Sequence, residues 1–311
     1  MSVGAPPTVG PRPSTRVTLV VAWAVVLLAS GLPQVVGREL LGRPVTADQR
    51  ALLALVVIGA GLLATAFWRP VRSLRPLLVV LAVIVGAQWV VYTRVDQIGN
   101  YPGWLADTSF TVFMLAEQSL NLIVALVIIG TLLAMGRTRR EFFLTRGDLG
   151  APVAPIRWLG VGPGQRWNRF GLWLTLCISG GTLAFLVIAG RPDPDDLTRL
   201  WPFLPAILLA EAVNAFTEEV TYKVSLLSVL EGPVGPRQAV LLVAAHFGIG
   251  HYYGVPYGLI GVLLAGVLGW ILARSMVETR GMFWAWFVHF WQDVLIFSFL
   301  AVGAIAAGGG A

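Results

Sequence analysis

The stretch EAVNAFTEEVTYK, from Glu211 to Lys223, places three carboxylates and the chain's only lysine inside an apolar segment. An ionisable side chain at bilayer depth costs roughly 2.5 to 3.5 kcal/mol on insertion scales, so it normally faces a protein interior or a wet cavity. The flanking runs, WPFLPAILLA before it and VSLLSVL after it, are typical of the two ends of one membrane helix. The stretch therefore predicts a membrane protein with a polar site among its helices.

The residue spacing in this helix separates two polar faces. Four residues recur at helical spacing and share one face: Glu211, Asn214, Glu218 and Thr221. Glu219 and Lys223 stand one turn apart on a neighbouring face. They can form an ion pair whose charges cancel and whose role is only to join helices. That interpretation does not cover Glu218, which has no cation one turn away. Glu218 is therefore the carboxylate available for chemistry.

Composition predicts an all-α polytopic membrane protein. The chain is 57% hydrophobic and only 12% charged, with a mean hydropathy of +0.78. Apolar segments predict about eight to nine transmembrane helices, at about 17–36, 51–68, 76–93, 110–135, 169–189, 202–230, 238–253, 257–274 and 281–306. The net charge of +6 comes from arginines in short loops between these segments. The partner that this pattern indicates is a lipid bilayer, not a nucleic acid.

The chain is predicted to divide into three regions. Residues 1–135 form an N-terminal four-helix membrane region, 136–168 a cytoplasmic connecting loop rich in Arg, Pro and Gly, and 169–306 a catalytic membrane core. Loop arginines are more than twice as numerous on the side of the N-terminus, which predicts a multi-pass cell-membrane protein with a cytoplasmic N-terminus. The single cysteine, Cys177, excludes an intramolecular disulfide.

All three histidines lie in the last third of the chain, within apolar segments. His251 follows Phe247 by four residues, so the two share a helical face. His289 and Asp293 are also one turn apart, a spacing that suits a carboxylate orienting an imidazole, two ligands of one metal, or a polar pair that joins helices. His246 points away from His251 on a regular helix, and we expect it to be a core histidine with a satisfied hydrogen bond.

The order of these motifs resembles a known family. EExxxK at 218–223, FxxxH at 247–251 and HxxxD at 289–293 lie on three of the last four helices. The arrangement is similar to that of the CAAX prenyl protease and bacteriocin-processing (CPBP, or Abi) intramembrane proteases, whose motifs are EExxxR, FxxxH and HxxxN or a variant. The resemblance covers about 202 to 293. It departs at Lys223, where arginine is usual, and at Asp293, where asparagine is common.

The resemblance implies an intramembrane endopeptidase that hydrolyses peptide bonds of a peptide or membrane-associated protein. Its catalytic residues would be Glu218 and His251, which position and activate water, and His289 and Asp293, which stabilise the oxyanion. The Glu219–Lys223 pair would be structural. The family is either metal-dependent or of a glutamic type. Glu218, His251 and His289, with Asp293 as a further candidate, would make a plausible zinc set of nitrogen and oxygen ligands.

Asp293 cannot simply inherit the role of an asparagine. An ionised aspartate donates no hydrogen bond to an oxyanion, so it either stays protonated and donates, or stays ionised and holds His289 as an imidazolium or metal ligand. The one-turn spacing favours the second role.

Two other classes of function stay open at this point. One is a non-catalytic Abi-like regulatory or scaffold protein, against which the presence of all three motifs argues. The other is an ion-coupled transporter that uses Glu218 and Glu211, against which the absence of paired broken segments in two matching halves argues.

Overall fold

The structure, a computed structural model, describes residues 16–95 and 108–306. In these ranges it contains helices, turns and isolated bridges but no β-strand, which confirms the all-α prediction. Ten of the α-helices in these ranges form the site or support it: α1 (Arg16–Ala29), α2 (Ala47–Phe67), α3 (Arg75–Arg94), α4 (Phe110–Ala134), α5 (Trp167–Gly190), α6 (Leu204–Glu218), α7 (Ser225–Val234), α8 (Pro236–Gly250), α9 (Leu259–Thr279) and α10 (Phe283–Ala306).

The helices are long and apolar enough for a multi-pass membrane protein. Within the described ranges seven helical spans meet that test, and a bent pair at the N-terminal end brings the number to eight. The helix α8 has only 15 residues, or about 22 Å of length, against a hydrocarbon thickness of about 30 Å. The segment predicted at 238–253 is therefore a short helix that ends within the depth of the bundle. Arg12, one of the arginines counted on the side of the N-terminus for the predicted orientation, lies outside the described residues.

The first predicted membrane segment is bent instead of forming one helix from 17 to 36. Helix α1 ends at Ala29, and the helical stretch Leu32–Leu40 follows at an angle of 59°. Pro33 has no N–H to continue the helical ladder. Ser30 fills the break, since its Oγ donates to the carbonyl of Leu27 at 2.7 Å and accepts from the N–H of Leu32 at 3.1 Å. The break brings a polar turn to the interior of the bundle.

The motif-bearing helix predicted at 202–230 contains a π-helical segment, Glu219–Val224, between α6 and α7. The N–H of Ser225 bonds to the carbonyl of Val220, five residues earlier, which widens the helix locally. Single π-helical turns inside α-helices occur frequently at functional sites. Here the widened turn contains both Glu219 and Lys223 and directly follows Glu218.

The helices around the π-helical segment pack closely against one another. Helix α6 lies between α4 and α10, and Trp286 Nε1 on α10 donates to the carbonyl of Ala212 at 3.0 Å. Helix α8 packs along α9. A Cβ at Gly248 would lie 2.6 Å from the carbonyl oxygen of Val262, so only glycine permits this approach of the two helices. Gly269 likewise leaves room for the ring of Phe247.

The segment predicted as a connecting loop is folded onto one end of the bundle. Phe142 and Phe143 have no exposed surface, and the N–H of Asp148 bonds to the carbonyl of Thr279 at 2.8 Å. Arg137 Nη1 donates to the carbonyl of Ser228 at 2.6 Å. The segment therefore covers the ends of α7 and α9 at one face of the bundle.

Candidate active site

Glu219 is the centre of a buried polar cluster that joins three elements. Its Oε1 accepts a hydrogen bond from Lys223 Nζ at 2.7 Å and lies 2.7 Å from His289 Nδ1 on α10. Glu219 and Lys223 both have side chains with no exposed surface. Lys223 Nζ also lies 3.5 Å from the ring centroid of Phe247 on α8. The pair thus contacts α8 and α10 at once, with its charges compensated inside the bundle.

His289 is surrounded by carboxylates. Its Nε2 lies 3.3 Å from Asp293 Oδ2 and 3.7 Å from Glu218 Oε2, while Nδ1 faces Glu219. Asp293 Oδ2 also accepts a hydrogen bond from Asn214 Nδ2 at 2.9 Å. Carboxylates only accept, whereas an imidazolium donates from both nitrogens. The surroundings of His289 therefore match the hydrogen-bonding pattern of the doubly protonated ring.

Glu218 differs from its neighbours in facing open space. Its side chain is 28% exposed, against 0% for Glu219 and 10% for Asp293. It lines a cavity of about 310 Å³ between α1, α3, the π-helical segment and α8, which we call the main cavity. It also lines a smaller pocket of about 130 Å³ beside α4. Glu218 is thus the most exposed carboxylate of the cluster, and it borders both cavities.

His251 lies at the wall of the main cavity, immediately after the end of α8. Its Nδ1 lies 2.8 Å from the carbonyl oxygen of Phe247, the residue one turn earlier. Because a carbonyl only accepts, the proton sits on Nδ1, and the lone pair of a neutral ring is on Nε2. The short length of α8 puts this ring at the same cavity as Glu218.

Several polar residues of the site were missed by the sequence reasoning because they lie outside the three motif pairs, most of them on α3 and α4. Gln88 Nε2 on α3 donates to the hydroxyl of Tyr222 at 2.6 Å, and the Tyr92 hydroxyl donates to Asn121 Oδ1 on α4. These four residues line the smaller pocket together with Glu218. An amide inside an otherwise apolar membrane helix, as at Gln88 and Asn121, is the signal that could have found them.

His246 and Glu211 have buried side-chain atoms without a hydrogen-bond partner in the described part of the chain. We expected a satisfied hydrogen bond for His246, but its Nδ1 is buried without one, and the residue lines the main cavity. The helical period predicts the face on which a histidine lies, but it does not predict which groups of other helices lie opposite that face. Glu211 has no exposed surface, both its oxygens are unpartnered, and it lines neither the main cavity nor the smaller pocket.

The proposed zinc ligands do not fit a metal site in this arrangement. Among the residues that the structure describes, no three His, Cys, Asp or Glu side chains are grouped so as to hold a metal ion. Both ring nitrogens of His289 already face carboxylates. Glu218, His251 and His289 are therefore not arranged as ligands of one ion among the described residues, and zinc stays a prediction from the sequence.

The comparisons with known proteins concern the part of the chain that carries this cluster. Residues 200–295 match the family model described as "Type II CAAX prenyl endopeptidase Rce1-like". The matched range contains the EExxxK, FxxxH and HxxxD motifs and begins after α5. Neither the curated proteins nor the solved structures gave a match. Residues 200–295 of this chain are therefore similar to the CAAX protease (CPBP) family, as the motifs indicated.

Proposed function

We propose that this protein is an intramembrane endopeptidase of the CAAX protease type that hydrolyses peptide bonds with a water activated by Glu218 and His251. The family match to residues 200–295 supports a membrane endopeptidase in general. The observation that supports the finer proposal is that Glu218 and His251 line one cavity while His289 lies 3.7 Å from Glu218. Water, a carbonyl carbon and a positive charge that stabilises the oxyanion can meet at such a place.

The activation step uses the two acceptors on the cavity wall. A water molecule donates one hydrogen to the Glu218 carboxylate and the other to Nε2 of His251, which leaves an oxygen lone pair directed at the substrate. The Glu218 carboxylate takes a proton as the oxygen attacks the carbonyl carbon. A carbon–oxygen bond forms, and the carbonyl oxygen becomes an oxyanion.

The oxyanion is stabilised by the charge of His289. Asp293 and Glu219 hold this ring as an imidazolium between them, so that positive charge is present before the reaction begins. Asn214 fixes Asp293 in turn. The tetrahedral intermediate then breaks its carbon–nitrogen bond, and the proton held by Glu218 passes to the leaving nitrogen. The products are an amine and a carboxylic acid, which becomes a carboxylate when it loses the second proton of the water to the solvent.

The position of the cavity supports a class of substrate, and the loop arginines support an orientation of the chain in the membrane. The cavity lies among apolar helices, so we propose a peptide or a membrane-associated protein as substrate and the lipid bilayer as the site of reaction. The excess of loop arginines on the N-terminal side supports a multi-pass cell-membrane protein with a cytoplasmic N-terminus.

A cleavage assay on the purified full chain tests the proposal. Wild-type protein in lipid nanodiscs is incubated with membrane-anchored peptides, and new termini are identified by mass spectrometry. Glu218→Gln should lower the rate by about 10² to 10⁴, the usual contribution of a general base. The matched control is Glu231→Gln on α7, which changes a carboxylate that lies 3.0 Å from Arg280 and lines neither the main cavity nor the smaller pocket, and it should cleave like the wild type. Wild-type turnover by Glu218→Gln would contradict the proposal.

A further inference from the structure

The smaller pocket beside Glu218 is lined almost entirely by polar side chains. Its volume is about 130 Å³, and its lining residues are Gln88, Tyr92, Asn121, Val124, Thr217, Glu218, Thr221 and Tyr222. Val124 is the one purely apolar side chain among them. Polar residues inside membrane helices normally face a protein interior or a water-filled cavity. A lining of this kind therefore indicates a place for water inside the bundle.

The lining comes from three helical faces that converge. Residues of the motif-bearing helix at positions i, i+1, i+4 and i+5 form the first face: Thr217, Glu218, Thr221 and Tyr222. Gln88 and Tyr92 are one turn apart on α3, and Asn121 and Val124 are three residues apart on α4. Helix α4 packs against both α3 and α6, which brings the three faces together.

The pocket wall has hydrogen-bonding groups that the protein leaves free for a ligand. The Tyr222 hydroxyl accepts from Gln88 Nε2 at 2.6 Å, but within the described ranges it donates its own hydrogen to no acceptor. In the same ranges the Thr221 hydroxyl and the Glu218 carboxylate have no hydrogen-bond partner. A water molecule needs only about 30 Å³ of liquid volume and a few polar partners. The pocket provides both.

The smaller pocket and the main cavity share a wall at Glu218. Four residues line both spaces: Gln88, Tyr92, Glu218 and Tyr222. Asn121, Val124, Thr217 and Thr221 line the smaller pocket and not the main cavity. A peptide that fills the main cavity displaces its water, yet hydrolysis consumes a water at every turnover. The attacking water can then reach Glu218 from the smaller pocket.

Polar side chains continue from this pocket along α4. Asn121 Nδ2 donates to Gln118 Oε1 at 3.0 Å, and Glu117 precedes Asn121 by one turn. Helix α4 begins at Phe110, about two turns before Glu117. This series is suited to refilling the pocket from the end of the helix.

We propose that the smaller pocket is a water site that supplies Glu218 while a peptide fills the main cavity. The hydroxyls of Tyr222 and Thr221 hold water beside the carboxylate, and this water moves to the position between Glu218 and His251 when the peptide is bound. No covalent bond changes in the pocket itself. The inference rests on the proposed peptidase function and adds the source of its second substrate, water.

Radiolytic footprinting tests for water in the pocket without any turnover. Hydroxyl radicals made from bound water by X-rays oxidise the side chains that touch it, and mass spectrometry measures the rate at each residue. Val124 and Ile128 are matched reporters, because they lie one turn apart on α4 and are 2% and 1% exposed. Val124 lines the pocket, whereas Ile128 lines neither cavity. Val124 should be oxidised several-fold faster, and equally slow oxidation of both would overturn the inference.

Kinetics with two peptides of different length test the supply of water. The long peptide fills the main cavity, and the short one leaves part of it to water. Val124→Phe fills the smaller pocket with an apolar ring and should lower kcat about tenfold for the long peptide only, with KM unchanged. Val127→Phe places the same ring at an exposed position of α4 and is the matched control.

Thr221→Val keeps the side-chain shape, removes one hydroxyl from the pocket, and decides the matter if Val124→Phe does not fold. It should give a smaller loss of kcat, again for the long peptide only. Equal losses for both peptides, or no loss for either, would overturn the inference. If the wild type cleaves neither peptide, the proposed function fails, whereas faster oxidation of Val124 still supports the water site.

Discussion

Removal of the charge on Lys223 should destabilise the whole bundle. Lys223 Nζ lies 2.7 Å from Glu219 Oε1 and compensates the negative charge of that carboxylate, and neither side chain has exposed surface. In Lys223→Ala the carboxylate keeps only His289 as a charged partner, and the contact with the ring of Phe247 is lost. Removing one partner of a buried pair costs about 3 to 5 kcal/mol, because the other charge stays in the interior.

This loss is large enough to measure as a melting temperature in detergent. A change of 1 kcal/mol shifts Tm by about 2 °C in larger domains, so Lys223→Ala should melt about 6 to 10 °C below the wild type. Lys223→Arg keeps the positive charge and should melt close to the wild type. The double variant Glu219→Gln/Lys223→Met removes both charges and should recover most of the loss.

The matched control is Arg94→Ala, which also removes an ion pair and a cation–π contact, but at the surface of the bundle. Arg94 lies 3.3 Å from Asp48 and 5.0 Å from the ring centroid of Trp89, with the ion pair about half exposed. Exposed pairs contribute about 0 to 1 kcal/mol, so this variant should melt within about 2 °C of the wild type. A Lys223→Ala variant as stable as Arg94→Ala, or a double variant less stable than Lys223→Ala, would refute this account of the pair.

Two predictions concern the support of His289. Asp293→Asn should lower kcat strongly or change its pH profile, because the amide no longer holds the ring as an imidazolium; full activity with an unchanged profile would contradict that role. Asn214→Leu removes the donor to Asp293 and should lower kcat about tenfold with little change in KM. If Asn214→Leu instead raises KM alone, Asn214 contacts the substrate and does not position Asp293.

The residue pairs that lie one turn apart could be predicted from the sequence because a regular helix fixes their geometry. Glu219 with Lys223 and His289 with Asp293 are such pairs, and the structure brings each pair together. The same rule identified Glu218 as a carboxylate without a local cation. Its access to the cavity depends on the neighbouring helices, which the rule does not describe.

The contacts between helices could not be predicted in this way. Glu219 Oε1 contacts both Lys223 and His289, and His289 lies 70 residues after Glu219 in the chain. The hydrogen bond from Asn214 to Asp293 joins residues that are 79 positions apart. Such contacts depend on how the helices cross and on the π-helical turn after Glu218.

A single turnover in water enriched in oxygen-18 tests the central claim most directly. If Glu218 activates water, the first product carboxylate contains one oxygen-18 atom, and the protein recovered afterwards contains none. If Glu218 attacked the carbonyl itself and formed a covalent intermediate, the first product would carry oxygen from the protein, and the label would appear in the Glu218 carboxylate. The account predicts the first result for the wild type and no product for Glu218→Gln. Label in Glu218 would contradict it.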